Sequence, residues 1–308
     1  MAKARRTEDF ASASLVALVI KSVIEADPDL LPAGIAAPDP MREATVPAAE
    51  KRNLLQHIHD RRGAGPLLAI GRHLEGAASP VLDVLANAER PDILIDKWMR
   101  LERYGHATNR TDIRLDGERA LDFRRYSTGA APTAAENALI AGFLLGICGL
   151  AGAGGLSLEI DGQRFDALSL AYAGPLSGAS DTFRISWTDW EPPALSDIPE
   201  TGSLATGERL KALLASDAAR GWSLAEAARS MAKSTRSLQR ELGAAGISFS
   251  SALRGVRTGE AARLIRAGRA SLAEIGYCCG YADQPHFQRD FRRALNMSPG
   301  EYRRLSLS

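Results

Sequence analysis

The stretch SLAEIGYCCGYADQPHFQRDFRR, Ser271 to Arg293, decides the fold of the last third of the chain. Ser271 followed three residues later by Glu274 has the spacing of a capping box: the hydroxyl accepts the Glu274 backbone N–H and the carboxylate accepts the Ser271 N–H. A helix is predicted to start there, with Leu272, Ile275 and Cys279 on one side, and to stop at Gly280. A second helix is predicted beyond Asp283, whose carboxylate can cap it. There Phe287 and Phe291 are four residues apart and bury together, leaving Gln284, Gln288, Arg289 and Arg292 on the opposite, wet face. Such a face suits a groove of duplex DNA.

The same plan occurs earlier, at WSLAEAARSMAKSTRSLQREL, Trp222 to Leu242. Ser223 and Glu226 have capping-box spacing, and Leu224, Ala227 and Met231 supply an apolar stripe. Ser234 or Thr235 then opens a helix with Leu238 and Leu242 facing inward and Arg236, Gln239 and Arg240 facing out. Between the two units, about Ser248 to Ala267 carries an inward stripe of Phe249, Leu253, Val256, Ala261, Leu264 and Ile265. As one helix of about 20 residues it spans roughly 30 Å. The pitch of B-DNA is about 34 Å, so such a spacer lets two helices of one monomer enter successive major-groove segments.

From Leu204 to Arg304 the chain resembles the AraC/XylS family of bacterial transcription regulators. The motifs that carry the resemblance are SLQREL, the AARLI segment leading to SLAEIGYCCGY, ADQPHFQRDFRR and SPGEYR, in that order and at the family's spacing. The resemblance implies a seven-helix, double helix-turn-helix domain that binds promoter DNA and has RNA polymerase as a further partner. Thr235, Arg236, Gln239, Arg240, Gln284, His286, Gln288 and Arg289 are then candidates to read base edges, arginine gripping guanine and glutamine adenine. Ser234, Arg254, Arg292 and Arg293 are candidates to hold phosphate. Two departures stand out. Asn296 replaces the usual glycine, and asparagine tolerates the left-handed conformation that a helix end requires. Gly255 and Gly259 lie inside the linking helix, each about 1 kcal/mol worse there than alanine.

A length of 308 residues argues for two domains, divided here as 1–200 and 201–308. The formal net charge of +1 hides an asymmetry: residues 221–305 hold 14 Arg and Lys against 7 Asp and Glu, a net +7. The basic end is the nucleic-acid end. Cys148, Cys278 and Cys279 contain no C-x-x-C pair, which fits a reduced, cytoplasmic protein. Three cysteines also cannot build the four-cysteine zinc site of a relative that joins this DNA module to an alkyl-transfer domain. No cofactor or metal is expected.

The N-terminal half is predicted to be α+β. Glu8, Asp9 and Lys21 argue against a secretory signal at the start, and Leu15, Leu18, Val19 and Ser22 predict one side of an amphipathic helix. A proline-rich loop and helices at Ala48–Arg61, Pro80–Ala88 and Pro91–Tyr104 follow. The period then changes to two. Asp116-Gly117 predicts a type I′ turn between Ile113/Leu115 and Leu121/Phe123, and Asp161-Gly162 predicts another between LSLEI and RFDALSLAYA. A helix at Pro132–Leu150, a strand at Phe183–Trp187 and an interdomain linker at EPPALSDIPETGS complete the pattern. Residues 138–158 carry no charge, but their glycines and the turn after Leu150 identify a buried helix rather than a membrane span.

Nothing in this half reads as an enzyme. His57 and His59 are two apart on a predicted helix and point away from each other, and His73 and His106 are isolated. Trp98, Tyr104 and Tyr126 could line a pocket, but aromatics at helical spacing are usually core. In layout, residues 1–200 resemble the "arabinose-binding" sensor domain of one branch of the regulator family, a generic label whose bearers respond to varied small molecules. That resemblance implies control by a small-molecule effector. The alternatives are a dimerisation or protein-docking module without a ligand, which would make a second copy of the chain a partner, and an enzyme tethered to DNA.

Overall fold

The computed structural model describes residues 9–40, 43–75, 79–105, 108–192 and 205–306. They form two compact units, one built from residues 1–78 and 88–193 and the other from 79–87 and 194–308.

In the first unit, β1 (Phe10–Ser12) precedes α1 (Ala13–Ala26) and pairs with β2 (Thr45–Pro47), followed by α2 (Ala48–Arg62) and α3 (Gly65–Leu68). The next helix, α4 (Pro80–Ala86), belongs to the second unit. α5 (Pro91–Gly105), β3 (Asn109–Leu115), β4 (Ala120–Ser127) and α6 (Ala134–Leu150) come next. They are followed by β5 (Ala153–Gly154), β6 (Ser157–Ile160), β7 (Gln163–Asp166), β8 (Thr182–Ser186) and β9 (Asp189–Trp190). An antiparallel sheet of order β3-β4-β8-β6-β7 has one face buried, carrying Leu121, Phe123, Leu158, Ile160, Phe183 and Ile185. Across the outer face one register row reads Arg114, Asp122, Arg184, Glu159, Arg164, alternating in sign strand by strand. Such opposite-charge neighbours stabilise strand pairing. The expected α+β architecture is therefore the observed one.

Buried charge ties the unit together. The Lys51 ammonium lies 3.0 Å from Glu136, both almost fully buried, and Arg52 adds a second contact at 3.3 Å. Arg125 donates to the Glu136 carbonyl at 2.7 Å, while Glu102 accepts from Thr111, N–H and hydroxyl both, on the neighbouring strand. Burial pushes the Glu136 pKa up, but Lys51, the Thr133 N–H and Arg52 outweigh it and leave the carboxyl below its ordinary value.

Several expectations are corrected. On α1 the expected Val19 and Ser22 are buried, together with Val16, Ile20 and Val23, while Leu15 and Leu18 are half-buried. The two stripes overlap at helical spacing, and packing turned the buried side toward the branched side chains. The turn after β3 is longer than a two-residue type I′ turn: Asp116 N–H bonds Ala120 O, and only Gly117 has positive φ. At Asp161 and Gly162 both residues have positive φ between the paired Ile160 and Gln163, as the type I′ expectation requires. RFDALSLAYA is strand only to Asp166, then a short 3-10 turn that leaves Leu168 and Tyr172 exposed. The expected boundary near residue 200 misses α4, because Leu82 and Leu85 bury in the second unit. All of the predicted linker after Pro192, residues 193–203, lies outside the described residues, as does His106.

The first part of the uncharged segment lies in α6, buried on nearly all sides, and the rest runs through β5 into β6; among the described residues no helix is long and apolar enough to cross a membrane. The glycines of α6 have a packing role. A Cβ on Gly142 would run into the carbonyl oxygens of Leu68 and Leu67, so only glycine lets the backbones approach this closely.

The second unit contains α4, α7 (Thr206–Ser216), α8 (Leu224–Ser230), α9 (Thr235–Ala244), α10 (Phe249–Ala267), α11 (Leu272–Cys278), α12 (Gln284–Leu295) and α13 (Pro299–Ser306). α10 is one unbroken helix of 19 residues, capped by Ser248 and ended by left-handed Gly268. At about 1.5 Å per residue it is roughly 28 Å long. Leu210, Leu214, Trp222, Leu238 and Leu242 centre the core around α8 and α9, with Phe249, Leu253 and Val256 of α10 packed against it.

Two glycine substitutions should act in opposite directions in unfolding of the full chain. Gly142→Ala, forced against carbonyl oxygens, should destabilise its unit by about 1–3 kcal/mol. Gly255→Ala, where a Cβ meets nothing within 4 Å, should stabilise the other unit by about 1 kcal/mol. Urea titrations that resolve the two transitions would check both.

Candidate nucleic-acid interface

Two copies of one local design build the candidate interface. In each, a serine–glutamate box starts the first helix. Ser223 N–H donates to Glu226 at 2.9 Å and Ser271 N–H donates to Glu274 at 2.8 Å, and both serine hydroxyls accept the reciprocal N–H at 3.2 Å. Each first helix ends in a left-handed residue, Ala232 (φ 53°) or Gly280 (φ 74°). The following N–H then reaches back five residues, from Lys233 to Ala228 O at 2.8 Å and from Tyr281 to Gly276 O at 3.1 Å. This satisfies carbonyls that the helix end would orphan. The second helices are capped by Ser234, which accepts from Ser237 N–H at 3.1 Å, and Asp283, which accepts from His286 N–H at 2.7 Å. The sequence left Ser234 and Thr235 as alternatives; Ser234 is the cap and Thr235 the first helical residue.

α9 is held by Leu238 and Leu242, both buried. α12 is held by Phe287 and Phe291 in a run of aromatic contacts: Tyr281–Phe287 at 5.3 Å, Phe287–Phe291 at 5.7 Å and Phe291–Tyr302 at 5.5 Å between centroids. Asn296 ends α12 in the left-handed conformation, φ 55°.

The opposite side of α9 exposes Thr235, Arg236, Gln239 and Arg240, and that of α12 exposes Gln288, Arg289, Arg292 and Arg293. Arg254 is exposed on α10. Arg236, Arg240, Arg254, Arg289 and Arg293 enter no ion pair among the described residues, so their donors remain available to an anion or a base edge. Two expected members stand apart. Gln284 has a buried Oε1 without a hydrogen-bond partner, and His286 lies 3.5 Å from Asp290 with its ring edge-on to Tyr281. Both are half-buried against the turn, not on the exposed stripe.

Some of the basic excess serves the fold, which the sequence did not reveal. Arg257 donates to Arg220 O at 3.1 Å, Arg303 to Ala270 O at 2.6 Å and Arg266 to the Tyr302 hydroxyl at 2.5 Å. Arg220 stacks over Trp222 at 4.2 Å. Sequence reasoning also missed Glu241. Its carboxylate accepts from Lys233 and Thr206, each at 2.6 Å, and from Ser237 at 3.1 Å, joining the turn, α7 and α9. These bonds, Lys233 foremost, hold its pKa down to about 2.

Elsewhere His59 is buried, and its Nε2 accepts the Leu176 N–H at 3.2 Å. Burial lowers its pKa. Trp98 packs on Phe143 in the core, whereas Tyr126 is exposed. Among the described residues no group of three or more His, Cys, Asp or Glu is placed to hold a metal.

The arrangement defines the class: a helical module with two helix-turn-helix units and a linking helix. Residues 227–305 match the family described as "Helix-turn-helix domain". Over 114 residues the chain is 32% identical to the transcriptional regulator SirC of Salmonella typhimurium, a match that covers 37% of this chain and 39% of SirC. The TCP pilus virulence regulatory protein of Vibrio cholerae is 26% identical over 102 residues, 33% of this chain and 37% of that protein. The transcriptional activator RhaS of Escherichia coli is 38% identical over 71 residues, 23% of this chain and 26% of its own. The matched stretch thus spans less than two-fifths of each of these relatives. Among solved structures, a DNA-binding transcriptional dual regulator of Escherichia coli K-12 is 26% identical at a TM-score of 0.34, covering 34% of this chain and 96% of that one. CdpR of Pseudomonas aeruginosa is 19% identical at a TM-score of 0.32, covering 81% and 91%. The C-terminal region is an AraC/XylS-type helix-turn-helix domain. The family match begins at residue 227 and adds nothing to the sensor-domain resemblance of residues 1–200.

The low Glu241 pKa has a signed consequence. With a folded pKa near 2 and an ordinary value of 4.5, its ionised form adds stability that is complete above pH 4.5 and is lost as pH falls toward 2. Glu241→Gln should therefore be less stable than wild type at pH 7, and the gap should close between pH 4.5 and 2. Urea titrations across that range would check it.

Proposed function

We propose that the chain is a sequence-specific DNA-binding transcription regulator whose α9 and α12 enter neighbouring major-groove segments of one promoter duplex. The observation that carries this reading is the pair of exposed polar stripes, each backed by a buried apolar pair and free of internal ion pairs at its key arginines. Arg236, Arg240 and Arg289 are assigned to guanine edges and Gln239 and Gln288 to adenine, with Thr235 beside them. Ser234, whose hydroxyl hydrogen remains free to donate, and Arg254, Arg292 and Arg293 are assigned to phosphates. Gln284 and His286 shape the start of α12 in this assignment. A linking helix of roughly 28 Å suits the groove repeat of about 34 Å, and the relatives are named as transcription regulators. RNA polymerase is the expected further partner.

Effector control is assigned to the N-terminal unit. Its support is a groove of about 980 Å³ along the outer sheet face, open to solvent and lined by Asp112, Arg114, Asp122, Arg124, Glu159 and Arg184. A charged or zwitterionic small molecule suits such a lining. Native mass spectrometry of the chain purified from its host should show a retained small molecule that Arg184→Glu loses. Bare polypeptide with an even subunit number would favour the self-association reading instead.

For the DNA reading, Arg236→Ala and Arg289→Ala should each weaken binding to the specific site by about 1–3 kcal/mol and relax one base preference. Arg254→Ala and Arg293→Ala should weaken all sequences alike and reduce the salt slope by about 1. Equal losses on specific and random duplex for Arg236 and Arg289 would contradict base readout.

A further inference from the structure

The second helix-turn-helix has a cover that comes from far up the chain. α4 lies in sequence between helices of the N-terminal unit, yet it packs against α11. Leu82 and Leu85 are its buried residues, Leu85 completely, and the Asn87 amide donates to Ser216 O at the end of α7, at 3.1 Å. On α11 the Cys278 thiol is buried, and Asp83 of α4 is among the charges that act on it.

On its C-terminal side α4 joins the N-terminal unit directly. The residue after Asn87 already belongs to the N-terminal unit, where the Ala88 carbonyl accepts the Trp190 indole N–H at 3.4 Å. α5 starts at Pro91, and its Lys97, Trp98 and Glu102 lie in that unit's core. A shift of α5 would therefore be delivered to α4. The helix is only seven residues long, and helices shorter than about 12 residues are marginal in water without a partner. It keeps its shape by being docked, so release and local unfolding are one event.

We infer that α4 is a releasable clasp on the second helix-turn-helix: docked, it completes the packing of α11 and so steadies α12; released, it uncovers α11 and loosens α12. The N-terminal unit thereby acts on one of the two DNA-facing helices through a single two-state segment, the kind of element through which coupling is carried. The DNA half of this inference rests on the function proposed above; the docking half does not.

The test uses the full chain and N-ethylmaleimide, with labelling of each cysteine followed by peptide mass spectrometry. Leu85→Asp should raise the Cys278 rate by about tenfold or more through local opening. Cys148, fully buried in α6 of the other unit, should stay protected and so report that the protein has not unfolded. An unchanged Cys278 rate would overturn the clasp. If Cys148 is also exposed, the milder pair Leu82→Ala with Asn87→Ala decides: selective labelling of Cys278 supports the clasp, and continued protection overturns it. On DNA, Leu85→Asp should lose affinity for a site with both half-sites while keeping affinity for a duplex holding only the half-site of α9. Selective labelling with DNA binding unchanged would overturn control of α12. Failure of the wild type to bind any duplex would remove the regulator reading and leave the labelling result standing.

Discussion

Phe287 and Phe291 can both leave water only if α12 lies with one side against Tyr281 and Tyr302, and that requirement orients every polar residue of the helix. Burial of two aromatic side chains is worth several kcal/mol, far more than any preference of the arginines opposite them. The exposed row from Gln288 to Arg293 is thus a consequence of where the rings go. Leu238 and Leu242 impose the same rule on α9 with aliphatic side chains. Caps and left-handed turns then set where each helix starts and stops, so the polar rows are positioned along the axis as well as around it.

The N-terminal unit obeys a different constraint. Its sheet has one greasy face and one wet face, and the greasy face meets helices that carry charge into the interior. Lys51, Glu136, Arg125 and Glu102 each find an opposite charge or a backbone partner there. A buried ion pair is costly to desolvate and more costly to break. The network therefore specifies how α2 meets α6, and how α5 and α6 meet the sheet, more than it adds to net stability. The glycines of α6 serve the same end by letting the α3 backbone come within van der Waals reach.

Short-range chemistry was well read from the residues. The boxes at Ser223/Glu226 and Ser271/Glu274, the cap at Asp283, the helix end at Asn296 and the turn at Asp161-Gly162 depend on groups within six positions of one another. Local sequence contains all the partners. Harder features had partners elsewhere. The burying face of α1 was half right, at Val19 and Ser22, because two overlapping stripes share its periodicity and only neighbouring elements choose between them. Ala232 gave no sign of a left-handed turn, since alanine is not the residue that conformation prefers. Gln284 and His286, both named as candidate base readers, are half-buried at the start of α12, which helical spacing alone does not reveal.

Sequence by itself therefore determined the repeated helix-turn-helix plan, the helix linking its two copies, the basic character of that end and the α+β character of the other, because periodicity, capping and charge are properties of nearby residues. Tertiary structure alone decided that Glu241 would gather Lys233, Thr206 and Ser237, that several arginines would bind carbonyls instead of facing solvent, and that Leu82 and Leu85 would join a unit more than a hundred residues away. The reason is common to all three: burial and ion pairing depend on what lies across space, and which distant segment fills a gap is settled only when the chain closes on itself.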